Sequence, residues 1–248
     1  MGEFIAESEA SKNALNMANL ASTLPVQVLI FGEVGTGKKI LAQVIIPDAT
    51  IYKAQELNLL INENKINLDE IETIIISNIE KINNIKQLIE KLEKHHIKVV
   101  ATAEEEKDSF GEKFAVRIDL VPLSQRKEDL SVLTVSYLFE ANRLFDTNVS
   151  VNDMELDVSK NSISLKESIY RSVLFDSVDK EKVLTLLENF LYKEIDSSSD
   201  YKDLLEIFEI PLIRAARRRF KSQLQMAQKL NINRNTLRKK INQYDLGD

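Results

Sequence analysis

The chain has no cysteine and no tryptophan, and among its 248 residues only two histidines, four prolines and six glycines. Without cysteine it has no disulfide, no thiolate metal ligand and no thiol nucleophile, a composition that suits a reducing compartment. His95 and His96 are adjacent. Neighbours on a helix or strand point in different directions, so the pair does not make a metal site. Long apolar runs are also missing. Stretches such as "VQVLIF" (26–31) fall far short of the roughly 20 residues that span a bilayer. The opening "MGEFIAESEASKNALNMANL" lacks the basic flank and apolar run of a secretion signal. A cytoplasmic protein with no membrane partner is expected.

Acid is absent from one stretch. Between Pro211 and Tyr244 stand ten basic residues, Arg214, Arg217, Arg218, Arg219, Lys221, Lys229, Arg234, Arg238, Lys239 and Lys240, and no Asp or Glu. With 33 basic and 39 acidic residues in all, the rest of the chain holds 23 basic against 39 acidic, a net of −16. An acidic body with a basic tail implies a polyanion bound by the tail alone.

What is present reads as alternation. Apolar residues at helical spacing (Ala10, Ala14, Met17, Ala18, Ala21) predict a helix over 9–21. Strands are expected at 26–31, around Ala49–Tyr52, at "TIIIS" (73–77) and at "IKVVATA" (97–103), with a helix over 80–96 that ends at the two histidines. Such alternation predicts an α/β domain with a parallel sheet. From Gln125 the pattern is helical, through "KEDLSVLTVSYLFEANRLF", "SLKESIYRSVLFDSV" and "DKEKVLTLLENFLYKEI". The predicted organisation is an α/β subdomain over 1–124, a helical lid over 125–193, a serine-rich linker at 194–203 and an all-α domain over 204–248.

Three of the six glycines fall within "FGEVGTGKKI" (31–40), between a strand and a helix. Gly-rich backbone there lets successive N–H groups curl around phosphate, with the lysine reaching the outer phosphates. The candidate nucleotide-binding residues are Gly32, Gly35, Thr36, Gly37, Lys38 and Lys39, with ATP or ADP as the candidate ligand. The pattern departs from G-x-x-x-x-G-K-[ST] at its last position, where Lys39 replaces the hydroxyl that ligates magnesium. Hydrolysis also needs a carboxylate at the end of a neighbouring strand, and "TIIISNIEKI" ends in Ser77 and Asn78. Glu80 lies just beyond and is expected to face elsewhere. No catalytic residue is assigned.

"SQLQMAQKLNINRNTLRKKINQYDL" reads as two short helices joined by a tight turn at Asn231, with Leu224, Ala227, Leu230 and Ile232 packed inward from the first helix and the turn. Leu237 and Ile241 are expected inward on the second helix, and Arg234, Asn235, Arg238 and Lys239 outward. A recognition helix aims its N-terminal residues at base edges while basic residues grip phosphates. The candidate DNA-contacting set is Gln225, Asn233, Arg234, Asn235, Thr236, Arg238, Lys239 and Lys240.

Together these pieces resemble the NtrC-type bacterial enhancer-binding proteins, an AAA+ domain followed by a Fis-type helix-turn-helix. "VLIFGEVGTGKKILAQVI" is similar to that family's Walker A segment, which commonly has Glu at the position of Lys39. "PLSQRKEDL" (122–130) resembles its turn into the lid, and "NINRNTLRKK" (231–240) its Fis-type domain. The resemblance implies a P-loop AAA+ fold, double-stranded DNA as partner, and a homodimer made through the C-terminal domain by Leu204, Leu205, Phe208 and Leu212. It also makes the departures visible. The family's acidic strand end is Ser77-Asn78 here. Its sensor I asparagine falls at Ala103 or Glu104. One of two arginines falls at Gly111, leaving Arg117. The lid motif matches "KNSISL" (160–165), with Ile163 in place of the sensor II arginine. Only 38 residues separate Lys38 from Ser77, too few for the loop that touches sigma-54, and no receiver domain is expected ahead of the P-loop. The expectation is a DNA-binding regulator that does not hydrolyse ATP. An ATP-dependent sigma-54 activator using substitute residues, and a nucleoid-type architectural DNA binder, remain the alternatives.

Overall fold

The computed structural model describes residues 3–111, 113–151, 154–195 and 200–246, in two compact units, Met1–Ser177 and Val178–Asp248. In the first unit α1 (Glu9–Ser22) leads to β1 (Val28–Gly32), α2 (Lys38–Ile45), β2 (Thr50–Lys53), α3 (Ala54–Asn62), β3 (Thr73–Ser77), α4 (Ile85–Lys94), β4 (Lys98–Ala103) and β5 (Val116–Leu120). The strands form one parallel sheet in the order β2-β3-β4-β1-β5. The expected four strands lie within two residues of their predicted positions. β5 and α3 are additional. β5 escaped the sequence reading because "VRIDL" puts Arg117 and Asp119 on an exposed face of the sheet edge, so it carries no apolar run.

The central strands β1, β3 and β4 each feed two cores, because successive side chains point to opposite faces, whereas the edge strand β5 feeds only one. Leu29, Ile74, Ile76, Val99 and Ala101 pack with α3 and α4 on one face. Val28, Ile30, Ile75, Val100 and Ile118 pack with α1 and α2 on the other. Burial of both faces explains why these strands are continuously apolar. α4 ends at the histidines as expected: His95 is its C-cap, and His96 takes φ 59° in the turn into β4.

α5 (Lys127–Phe145) and α6 (Ser162–Asp176) complete the first unit, closing around Leu123, Ala141, Leu165, Ile169 and Val173. The division between the two units falls at Ser177, within the span 125–193 expected for the lid. α7 (Lys180–Glu194) falls in the second unit and buries none of its residues, so its apolar positions do not join this core. Residues 196–199 of the expected linker lie outside the described residues, and α8 (Tyr201–Arg219) starts inside its predicted end. α9 (Gln223–Lys229) and α10 (Arg234–Gln243) follow. Ile213, Ala216, Met226, Ala227, Leu237, Ile241 and Leu246 form their shared core. Among the described residues no helix is long and apolar enough to cross a membrane.

Candidate nucleotide and DNA sites

The phosphate loop runs from the end of β1 to the start of α2, where Gly37 caps the helix at φ 103°. Lys38 is buried, and its Nζ donates to the carbonyls of Gly32 (2.7 Å) and Glu33 (2.6 Å) and pairs with Glu104 at 3.5 Å. Burial lowers its pKa, and Glu104 opposes that shift. Thr36 Oγ1 is turned back onto the Glu33 carbonyl at 2.8 Å, inside the loop. Two cavities flank these residues. One of about 310 Å³ is lined by Lys38, Lys39, Asn78, Thr102, Glu104 and Ile163, among others. A second of about 490 Å³ shares Gly35, Gly37, Ile40 and Ser162 with it and adds Phe4, Ile5, Leu133 and Tyr137. A larger cavity of about 560 Å³ lies away from the P-loop, around Gln27, His96 and Lys98 before the starts of β1 and β4.

At the end of β3, Ser77 Oγ donates to the Tyr52 carbonyl at 3.1 Å. Asn78 is left-handed at φ 56°. Its amide N–H donates to Thr102 Oγ1 and its side chain to Glu80 Oε1, both at 3.3 Å. Glu80, expected to face elsewhere, does not line the cavity beside Lys38. It is buried, its Oε2 has no hydrogen-bond partner among the described residues, and its charge acts on Lys38. Arg117, the arginine the family comparison left in place, is bound within its own chain. It pairs with Glu106 at 2.7 Å and Asp119 at 2.8 Å and lies 4.6 Å over the Phe31 ring.

The lid entry holds the loop through contacts that sequence reading did not assign. Asn161, buried at φ 55°, donates to the Val34 carbonyl (2.8 Å) and Glu33 Oε2 (3.1 Å), and accepts from the Leu123 N–H (2.6 Å). Ser162 donates to the Gly35 carbonyl through both its N–H (3.1 Å) and its hydroxyl (2.7 Å). Gly35, at φ 77°, permits this approach, because a Cβ there would run into the Lys160 carbonyl oxygen. Ile163 lines the same cavity as Lys38. Within "PLSQRKEDL", Arg126 Nη2 donates to the Thr36 carbonyl at 3.0 Å, and Nη1 to Ser11 Oγ at 3.1 Å. Asp129 accepts from the N–H groups of Glu7 (2.7 Å) and Ser8 (2.8 Å) and from the hydroxyls of Ser8 and Ser11. Burial pushes the Asp129 carboxyl up, but these hydrogen bonds outweigh it and hold the pKa below the ordinary value. The signal for this network was the charged pair at i and i+3 beside an apolar run, which is indistinguishable in sequence from a solvated helix start.

In the second unit Asn231 takes the left-handed turn at φ 51°, as expected. Two packing expectations do not hold. Leu224 is 51% exposed and Ile232 37% exposed, and Met226 fills the core position instead. Gln225, Arg234, Asn235, Thr236, Arg238 and Lys239 are all exposed. Asn233 is the N-cap of α10, its side chain accepting from the Asn235 N–H at 2.8 Å. Lys240 is committed inside the unit: its Nζ lies 2.6 Å from both Glu209 carboxylate oxygens. Tyr244 donates its hydroxyl to the same carboxylate, which pushes its pKa up to about 12. Arg217, from the basic cluster ending α8, donates to the Leu246 carbonyl.

Comparison with known proteins bears on both sites. Residues 204–244 match the family described as "Bacterial regulatory protein, Fis family", and residues 4–73 match "Sigma-54 interaction domain". No curated protein sequence matches the chain. Among solved structures, NtrX from Brucella abortus in complex with ATP is similar over 98% of this chain and 69% of that one, at 13% identity and a TM-score of 0.54. NtrX in complex with ADP is similar over 97% and 68%, at 12% identity and a TM-score of 0.56. Likeness at this identity establishes the fold alone, a parallel-sheet P-loop unit followed in the chain by helices that match the Fis-family model.

Proposed function

From a chain that joins, in the order of the NtrC-type enhancer-binding proteins, a sigma-54 interaction-domain segment to a Fis-family helix-turn-helix, we propose a transcriptional regulator that acts by occupying DNA, with a P-loop body that binds nucleotide and does not hydrolyse it. The observation that carries DNA occupancy is α10. Its buried side is Leu237 and Ile241, and its exposed side is Arg234, Asn235, Arg238 and Lys239. That is the arrangement a helix needs to enter a major groove, base-reading residues first and phosphate-gripping residues behind. The absence of hydrolysis is supported by Ser77 and Asn78, neither able to act as a base, at the end of β3. It is supported too by Ile163 beside Lys38 and by Arg117 engaged within its own chain. Independence from sigma-54 contact is supported by the span between α2 and β3, which β2, α3 and one short 3-10 turn occupy. Exposed Phe208 and Leu212 on α8, the latter lining a cavity of about 480 Å³ with Ala216, Phe220 and Leu230, support dimerisation of the second unit.

The test pairs DNA selection with a phosphate-release assay on the full chain. A random duplex library should yield a two-fold symmetric motif, and ATP with magnesium should yield no release above buffer. Turnover that Lys38→Ala abolishes would return the ATPase alternative. Recovery of unselected sequences at equal affinity would favour the architectural one.

A further inference from the structure

A hydrolysing P-loop works with a divalent cation, held by the hydroxyl that follows its lysine and by a carboxylate at the end of a neighbouring strand. The residues here do not fit that ion. Lys39 stands where the generic motif has its hydroxyl and the family it resembles commonly has Glu, and an ammonium cannot ligate a cation in place of either; it lines the cavity beside Lys38 and makes no ion pair among the described residues. Ser77 Oγ is spent on the Tyr52 carbonyl. Asn78 is uncharged and its side chain is spent on Glu80. Of the two carboxylates near Lys38, Glu104 lines this cavity and is paired to Lys38, and Glu80, buried with its Oε2 unpartnered among the described residues, is not part of the lining.

What the cavity offers instead is two ammonium groups at the N-terminus of α2, where backbone N–H groups already favour anions. The adjoining cavity supplies Ile5, Leu133 and Tyr137, apolar and aromatic surface of the kind a base stacks on. We infer that this site takes a nucleoside di- or triphosphate free of magnesium, the Lys39 ammonium neutralising phosphate charge where the metal would otherwise do so. The inference rests on the nucleotide-binding part of the proposed function and is independent of the DNA-reading part.

Calorimetric titration of the full chain with ATP and with ADP, once in excess EDTA and once in magnesium, tests it directly. The dissociation constant in EDTA should equal or fall below that in magnesium. Lys39→Ala should weaken binding in EDTA by about tenfold, the size of one charge-assisted contact near the surface, with its thermal melt unchanged. Tightening by magnesium of tenfold or more overturns the inference while leaving nucleotide binding intact. An unchanged affinity for Lys39→Ala in EDTA overturns it too. Absence of binding heat in both buffers overturns it together with the nucleotide part of the proposed function. If the variant melts early, the two-buffer comparison on the unsubstituted chain still decides.

Discussion

Lys38 divides its ammonium between two loop carbonyls and the Glu104 carboxylate. An incoming phosphate competes with Glu104 for that charge and also meets its negative field. Glu104→Gln should therefore tighten ATP binding by about fivefold, roughly the 1 kcal/mol of a partly exposed pair, measured by the same titration. A second residue-scale outcome concerns Tyr244. The Glu209 carboxylate accepts a hydrogen bond from its hydroxyl and raises its pKa from 10.0 to about 12. A raised pKa means the stabilisation is fully present below the ordinary tyrosine value and is lost as pH rises through the folded one. Stability of the second unit should thus decline between about pH 10 and pH 12. In Glu209→Gln one of the six tyrosines should move its ultraviolet titration down toward 10, and an unmoved titration would refute the assignment.

At the scale of elements, Asp129 ties α5 to the start of α1, and Arg126 ties the same turn to the P-loop. Asp129→Ala leaves two backbone N–H groups, two hydroxyls and a buried guanidinium without their partner. A loss of about 3 kcal/mol in urea unfolding of the first unit is expected, with weaker nucleotide binding following from the freed loop. Because its folded pKa is depressed, Asp129 contributes above the unfolded value of about 3.8 and that contribution fades as pH falls through the lower folded value. On α10, Arg234→Ala should cost about 1–3 kcal/mol on the selected DNA sequence and relax preference at one base position. Equal loss on every sequence would make Arg234 a phosphate contact instead.

Over the whole molecule the charge is divided, ten basic residues without acid between Pro211 and Tyr244 and a net of −16 elsewhere. DNA affinity should fall steeply with salt, and Arg218→Ala, which removes an exposed charge from the end of α8, should lower the slope of log K against log salt by about 1. Not all ten charges are free for this purpose. Lys240 and Arg217 are engaged within the unit, so the slope should be smaller than a count of basic residues suggests.

How far the chain could be read in advance depended on whether a signal was local. The strand at "TIIIS", the P-loop with its three glycines, the turn at Asn231 and the two inward residues of α10 were legible, because period, backbone freedom and charge are written in neighbouring residues. β5 and α3 were not, since an edge strand carrying Arg117 and Asp119 lacks an apolar run. The roles of Glu80, Asn161, Ser162, Arg126 and Asp129 were not legible either. Each acts across a long stretch of chain, as Asn161 does on Val34, and no local pattern specifies which carbonyl a distant side chain will meet. Sequence by itself determined an α/β P-loop body and a basic helical reader. Only the tertiary structure decided that the lid entry closes on the loop, that Lys39 makes no ion pair among the described residues, and that Lys240 is withheld from the exposed face, because hydrogen bonds and ion pairs between distant residues form only once the packed cores have brought them within reach.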